Sequence, residues 1–476
     1  MGLKSLSTLL LLSLASCFHD AADPFSLAPS TPFSSWTPMK GNQCISARYC
    51  QTFLPKTFGD GELNLAELID IGLMNNPSTK QTWAEARAAA GQYGQSLSSF
   101  YPEIQLLGQY TRQKGSTGGT QSTGTALFSG TYATTAGPDF LITYTLFDFG
   151  QRTSAATAAR EALYMADWTH NQEIQTVIQT VMDDYYAYLY QLKILRANET
   201  NLEMAGASLD AANQKFALGL AALGDVAQAR TQYLQSKINL TTQKKNVENA
   251  FAQLAVDLGL PANIPFKVQP MPENVQPGDL LESVDQLVAM AQSERQDLLA
   301  AQANLRSKEA LLLNAKRAAY PVFTTTLDGG KYWFQKGLVE DYHWTAQIAL
   351  SVPLFQGFFY KNGIKIAEAN YEEACAQLMQ TELSVISSVT TSQMNAKTAA
   401  QNLKDTEEYL KAAELEFTIA LTSYKAGTMT ILDVLSAQSS VTDARSKKAG
   451  AEKDWFTSLA SLSYATGSLC WPKESI

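Results

Sequence analysis

Apolar residues recur at every seventh position over long stretches of this chain, and the recurrence is written twice. Val181, Tyr188, Leu195, Leu202, Leu209 and Phe216 keep the period in the first half. Moved by 208 positions, the same register falls on Val389, Ala396, Leu403, Leu410, Phe417 and Tyr424. Gly219 and Gly427 follow at that displacement, as do Asp225-Val226 and Asp433-Val434. The period then resumes through Val226, Tyr233, Leu240, Val247 and Leu254, and through Val434, Val441, Lys448, Trp455 and Leu462, with Lys448 the one polar intruder. A displacement this coherent marks an internal duplication, and a seven-residue period is that of coiled-coil packing. The spacing predicts helices over 150–219 and 225–261, and again over 359–425 and 432–465. Each half is a long helical hairpin whose rising helix extends on the order of 100 Å.

A shorter amphipathic helix precedes each hairpin, over 65–100 and 284–319. Both end in Tyr-Pro, at Tyr101-Pro102 and Tyr320-Pro321, and proline pushes the residue before it out of helical conformation. Period-two alternation follows. Ile104, Leu106 and Tyr110 alternate with Gln105, Gln109 and Thr111, and Phe140, Ile142, Tyr144 and Leu146 with Thr143 and Thr145. In the second half Phe323, Thr325 and Leu327 begin one strand, and Trp344, Ala346, Ile348, Leu350 and Val352 form the clearest one. Alternation with aromatics near the strand ends fits a barrel with lipid outside and water inside. The Ser/Thr/Gly-rich stretch 115–137 reads as a flexible exposed loop, and residues 336–341 as a tighter turn. Two hairpins give four strands per chain, and bacterial outer-membrane barrels begin at about eight. Three chains would supply twelve strands and leave room for a lumen.

Composition narrows the picture further. The formal charge is −9 and no stripe of Lys and Arg occurs, which argues against a nucleic-acid partner. Lys4 and the apolar run Leu9 to Leu12 read as an export signal. Leu14-Ala15-Ser16-Cys17 looks like a lipobox whose Cys17 would carry acyl chains; ordinary cleavage nearby is the other reading. Cys44 and Cys50 could close a small disulfide loop in an oxidising compartment or remain free thiols. No segment approaches the ~18 apolar residues of a transmembrane helix, so a chain that crosses a membrane must do so as a closed barrel.

The motifs at the junctions and turns carry a family resemblance. Leu146-Phe147-Asp148-Phe149-Gly150-Gln151-Arg152, Phe216 to Gly219 with Asp225-Val226, Pro353-Leu354-Phe355-Gln356-Gly357, and the turn from Tyr424 to Leu435 together resemble the TolC-like outer-membrane efflux family over residues 63–467. The resemblance implies a mainly α fold with a transmembrane β-barrel, built as a homotrimer with a twelve-stranded barrel and an α-helical tunnel. It also implies a periplasmic adaptor and an inner-membrane pump as partners, outer-membrane lipid around the barrel, and a gate at the helical tips. By residue match, Asp433 takes the position of a carboxylate ring at the pore constriction, where Asp is equally a favoured helix cap. Ser436 stands where the family has a second acid. Asp225 and Tyr424 match gate contacts, while Met429 replaces a tethering arginine. The Cys17 lipid would resemble the family's lipoprotein branch. The implied order is a signal peptide over 1–17, an extended segment over 18–62, a first repeat over 63–262, a linker over 263–282, a second repeat over 283–467 and a tail over 468–476. The expected location is the outer membrane of a Gram-negative-type bacterium, lipid-anchored, with a large periplasmic portion.

Catalysis and a cofactor are not expected. His19, His170 and His343 form no metal-binding spacing, and no P-loop or G-x-S-x-G string occurs. His343 beside Trp344 reads as structural, and Asp183-Asp184 as a solvated or lumen-facing patch. A periplasmic adaptor or a coiled-coil stalk without a pore is the alternative reading. Adaptors, however, carry one hairpin flanked by soluble β domains, where this chain has two hairpins and two strand pairs.

Overall fold

A computed structural model describes residues 28–29, 31–33, 61–120, 126–270, 283–334 and 339–469. Cys17, Cys44 and Cys50 lie outside the described residues, so the lipid attachment and the disulfide have no structural account. In chain order the elements are β1 (Glu62–Leu63), α1 (Leu65–Asn75), α2 (Pro77–Leu97), β2 (Glu103–Thr120), β3 (Ala126–Phe147), α3 (Gln151–Ala217) and α4 (Leu223–Asp257). There follow β4 (Lys267–Val268), α5 (Val284–Glu294), α6 (Gln296–Arg317), β5 (Val322–Phe334), β6 (Val339–Ser351), α7 (Phe359–Ala426) and α8 (Ile431–Ala465). The four long helices fall within a few residues of the expected bounds.

The short helices do not. Each expected single helix is two, broken at Asn76 and at Arg295. Asn76 leaves helical conformation (ψ 130°) and Pro77 opens the next helix at its first position, where a missing N–H does no harm. Arg295 does the same (ψ 125°) without a proline, its guanidinium held by Asp297 at 2.6 Å. The N-termini repeat at a displacement of 219. The Asn64 side chain and Glu67 cap α1 reciprocally, both at 2.9 Å, and Ser283 and Gln286 cap α5 in the same way.

The break is what the long hairpins dock on. Gly259 and Gly467, 208 positions apart, end α4 and α8 with φ of +69° and +74°. A Cβ on Gly259 would lie 2.6 Å from the Asn75 carbonyl carbon, and one on Gly467 would lie 2.9 Å from that of Glu294. Only glycine tolerates both the left-handed turn and that approach.

Two units divide the chain. The first, built around residues 87–165 and 302–377, holds the sheet. Its strand order is β2-β3-β5-β6, antiparallel throughout. One face carries Ile104, Leu106, Phe140, Ile142, Tyr144, Trp344 and Ile348, in cross-strand register. Trp344 and Ile348 are 75% and 73% exposed. The other face carries Gln105, Asp139, Thr143, Thr326, Asp328, His343 and Gln347. Strands β2 and β3 run 18 and 22 residues, well into the Ser/Thr/Gly-rich stretch expected to be a loop. Pairing continues from Gly115↔Thr131 to Thr120↔Ala126 because a ladder is made by backbone groups, and threonine suits it. Below the sheet, α6 is tied to the start of α3. Arg306 Nε bonds Glu161 at 2.7 Å, Ser307 Oγ donates to the Ala158 carbonyl at 2.9 Å, and Asn314 Nδ2 donates to that of Gln151 at 2.9 Å.

The second unit, residues 29–86, 166–301 and 378–476, holds most of the hairpins. Its apolar side chains form several small clusters rather than one core. Leu68, Ile71, Val181, Leu254 and Leu258 centre the largest. Leu287, Val385 and Val389 make a second, Leu403 with Trp455 a third, and Ala413, Val441 and Ala444 a fourth. Ala212, Tyr424, Ile431 and Val434 make the one nearest the hairpin tips.

Candidate functional site: the strand junctions and the hairpin tips

The sheet passes into each long helix through a turn that the duplication preserves. Phe149 and Gly150 have φ of +52° and +84°, and Gly357 and Phe358, each 208 positions later, have +57° and +66°. Glycine fills the second position in one copy and the first in the other. In both copies a phenylalanine therefore sits in a sparsely populated conformation. Asp148 supports the first turn by accepting from the Arg152 N–H at 2.8 Å and from Arg152 Nε at 3.0 Å.

At the far ends the tips are capped unequally. Thr430 caps α8: its hydroxyl accepts from the Asp433 N–H, and Asp433 accepts from the Thr430 N–H at 2.8 Å. The Thr430 hydroxyl also donates to the Asp433 carboxylate at 2.8 Å, and this bond first and the backbone N–H second hold the Asp433 carboxyl below the usual carboxylate range. Asp433 and Ser436 are both exposed, on the first turns of α8. At the other tip the cap position is Ala222, so Asp225 accepts from the Ala222 N–H at 3.4 Å and receives nothing comparable in return.

The expected gate contact between Tyr424 and Asp225 takes a different form. The Tyr424 ring is buried, and its hydroxyl has no hydrogen-bond partner. Burial first, and the nearby Asp225 charge second, push that hydroxyl's pKa up. The charge is close, but the Asp225 carboxylate is turned to its own helix end. Lys215 makes the polar link instead. Its Nζ donates to the Tyr424 carbonyl and lies 4.2 Å from the ring centroid, a cation–π geometry. The seven-residue pattern places Lys215 beside Phe216 in the last turn of α3, where a cation suits the helix end; that was the available signal. Met429 is exposed and supplies no polar tether.

Further along α3 lie buried acids. Asp167 is 0% exposed, and neither carboxylate oxygen has a partner; burial alone pushes its pKa up to about 9. Asp183 and Asp184, expected to form a solvated or lumen-facing patch, are half-buried. Burial raises Asp183 to about 6 against the pull of Lys453. It raises Asp184 too, helped by a hydrogen bond to Asp257. A cleft of about 340 Å³ is lined by Lys193, Arg196, Arg445, Lys448 and Glu452 among others, with Lys193 paired to Glu452. Neither group has a nucleophile and base in hydrogen-bonding order.

The outer membrane efflux protein family model matches residues 68–260 and 287–468, one block in each half of the duplication. The outer membrane protein TolC of Salmonella enteritidis is 24% identical over 418 residues, covering 85% of this chain and 82% of that protein. Protein CyaE of Bordetella pertussis is 26% identical over 395 residues, covering 81% and 80%. Among solved structures, the outer membrane protein VceC of Vibrio cholerae aligns with a TM-score of 0.75 at 21% identity, over 85% of this chain and 96% of that one. The Campylobacter jejuni CmeC outer membrane channel aligns at 0.73 and 18%, over 94% and 96%. With its duplicated hairpins, its four amphipathic strands and a family match over most of its length, this chain belongs to the outer membrane efflux protein family, outer-membrane exit ducts rather than enzymes.

Proposed function

We propose that three copies of this chain close a twelve-stranded barrel and serve as the exit duct of a tripartite efflux or type I secretion system, gated at the hairpin tips. The observation that carries this reading is the sheet. Its strands β2 and β6 have one unpaired edge each, and one face carries the exposed apolar side chains Ile104, Leu106, Phe140, Trp344 and Ile348. In lipid every backbone group must be paired, and a long flat edge left open invites another strand. No helix among the described residues is long and apolar enough to cross a membrane. Copies of the same sheet, joined edge to edge, satisfy both demands and turn Thr143, Thr326 and Gln347 towards a lumen.

The tips then meet around the threefold axis. Asp433, kept ionised by Thr430, contributes one carboxylate per chain to a ring that favours cations, with Ser436 lowering the charge beside it. Lys215 and the apolar cluster around Tyr424 hold the two tips of a chain together. An adaptor and an inner-membrane pump engage the tips, and Cys17, acylated, anchors the 18–62 segment to the membrane. The repeats over 63–262 and 283–467 are the two structural modules of the duct. Cargo is set by the pump.

The experiment is heat-modifiable migration and cross-linking of the outer-membrane fraction, followed by reversal potentials in planar bilayers. A trimer with cation-selective conductance, and reduced selectivity in Asp433→Asn, is expected. A soluble periplasmic protein without conductance would establish the adaptor or stalk instead. Unchanged selectivity in Asp433→Asn would leave that residue as a helix cap alone.

A further inference from the structure

Asp139, Asp328 and His343 meet on the polar face of the sheet, on three adjacent strands. Asp139, Gly330 and His343 occupy one cross-strand row, and Asp328 lies in the next. Gly330 is what lets the outer two meet: a Cβ there would lie 3.0 Å from Asp139 Oδ1. His343 Nε2 stands 3.4 Å from Asp139 Oδ1 and 3.4 Å from Asp328 Oδ2. Yet neither ring nitrogen of His343 has a hydrogen-bond partner, and neither does Asp139 Oδ1. Asp139 is 8% exposed, so a carboxyl oxygen is nearly buried without a hydrogen bond, an expensive arrangement. The Tyr332 ring stacks on His343 at 4.2 Å, fixing its plane, and the Tyr332 hydroxyl stands 3.4 Å from Asp139 Oδ2.

We infer that these three side chains bind a divalent first-row cation of the zinc class. Zinc bonds to nitrogen and carboxylate oxygen measure about 2.0–2.2 Å, and two ligands on a tetrahedral ion with such bonds stand about 3.3–3.5 Å apart. Both distances from His343 match that edge. The three ligand atoms lie within 4.8 Å of one another, so a small rotation of Asp328, the more accessible of the two acids, closes the third edge. One imidazole and two carboxylates suit zinc or its neighbours, whereas magnesium and calcium prefer a full shell of oxygens. The half-exposed sides of Asp328 and His343 leave a path for the ion and a fourth position for water. Because β3 belongs to the first strand pair and β5 and β6 to the second, a bound ion staples the two hairpins of one chain. All ligands come from a single chain, so the site does not depend on the assembly proposed above.

The test uses untagged full-length protein carrying Cys44→Ser, Cys50→Ser, Cys375→Ser and Cys470→Ser, so that none of these thiolates and no tag competes. It is purified in detergent, stripped with EDTA and titrated with ZnCl2 by calorimetry. One Zn2+ per chain is expected, with no response to MgCl2. His343→Gln and Asp139→Asn should each weaken binding at least about tenfold while retaining heat-modifiable migration. Co2+ should give the visible bands of a four-coordinate ion, lost in the same variants. Should those variants fail to assemble, Asp328→Asn and the Co2+ spectrum of the parent decide. No saturable Zn2+ binding, no four-coordinate Co2+ bands, or parental affinity in a folded ligand variant overturns the site.

Discussion

Asp167→Asn exchanges a buried acid for a neutral side chain of the same shape, and its effect follows from where the proton resides. Asp167 is pushed up to about 9 by burial, whereas an unfolded aspartate titrates near 3.9. Between about pH 4 and about pH 9 the folded chain keeps a proton that the unfolded chain has released. Where the folded state binds more protons, stability falls as pH rises. The contribution is therefore fully present at acid pH and is lost progressively towards pH 9. Each pH unit in that window is worth about 1.4 kcal/mol, so moving from about pH 5.5 to about pH 8 removes roughly 3 kcal/mol per chain. A chain of 476 residues unfolds with an entropy on the order of 1 kcal/mol per kelvin. Between those two pH values the Tm of the parent should fall about 3 °C further than that of Asp167→Asn. Thermal scans of the detergent-solubilised protein at both pH values measure this. Asp183 and Asp184 titrate in both proteins and cancel in the difference. Parallel Tm–pH curves for parent and variant would refute the reasoning and show that Asp167 is ionised and solvated.

Tyr424→Phe should leave antibiotic leakage and trimer stability unchanged or slightly improved, since it removes a buried hydroxyl that bonds to nothing. Lys215→Met should raise leakage in the same assay, because it removes both the carbonyl bond and the cation–π contact; the reverse ranking would restore the Tyr424–Asp225 tether. Gly259→Ala should destabilise by more than about 2 kcal/mol, combining a left-handed backbone with a backbone clash, and reduce heat-resistant trimer in membranes. A Tm equal to the parent's would mean that the α1–α2 break yields without strain.

The long helices were legible because a seven-residue period is a property of the sequence itself, and the displacement of 208 checked one copy against the other. The breaks within the short helices were not. Asn76 before Pro77 carries a signal, and Arg295 carries none, since its bend is set by Asp297 and by the approach of Gly467. The loop expectation over 115–137 failed for a different reason. Serine, threonine and glycine describe side chains, while a sheet ladder is closed by the backbone. At the tips, motif register brought Asp225 and Tyr424 close but could not say which way the carboxylate turns, and an alanine at the cap position decides that. The Asp139–Asp328–His343 group was invisible because strand register brings together residues far apart in sequence. His343, read as structural beside Trp344, points to the opposite face from its neighbour.

The separate apolar clusters along the hairpins have a consequence for cooperativity. Small clusters coupled mainly to their neighbours let local segments open at free energies below that of global unfolding. The segment at the tips holds Ala212, Tyr424, Ile431 and Val434, and the next holds Ala413, Val441 and Ala444. Neither shares a buried residue with the large cluster around Leu68 and Leu254. The tips can therefore separate at the expense of one or two small clusters, on a timescale of their own, while the cluster around Leu68 and Leu254 remains closed. Native-state hydrogen exchange should read this as a gradient of protection rising along α3 from Ala217 towards Val181.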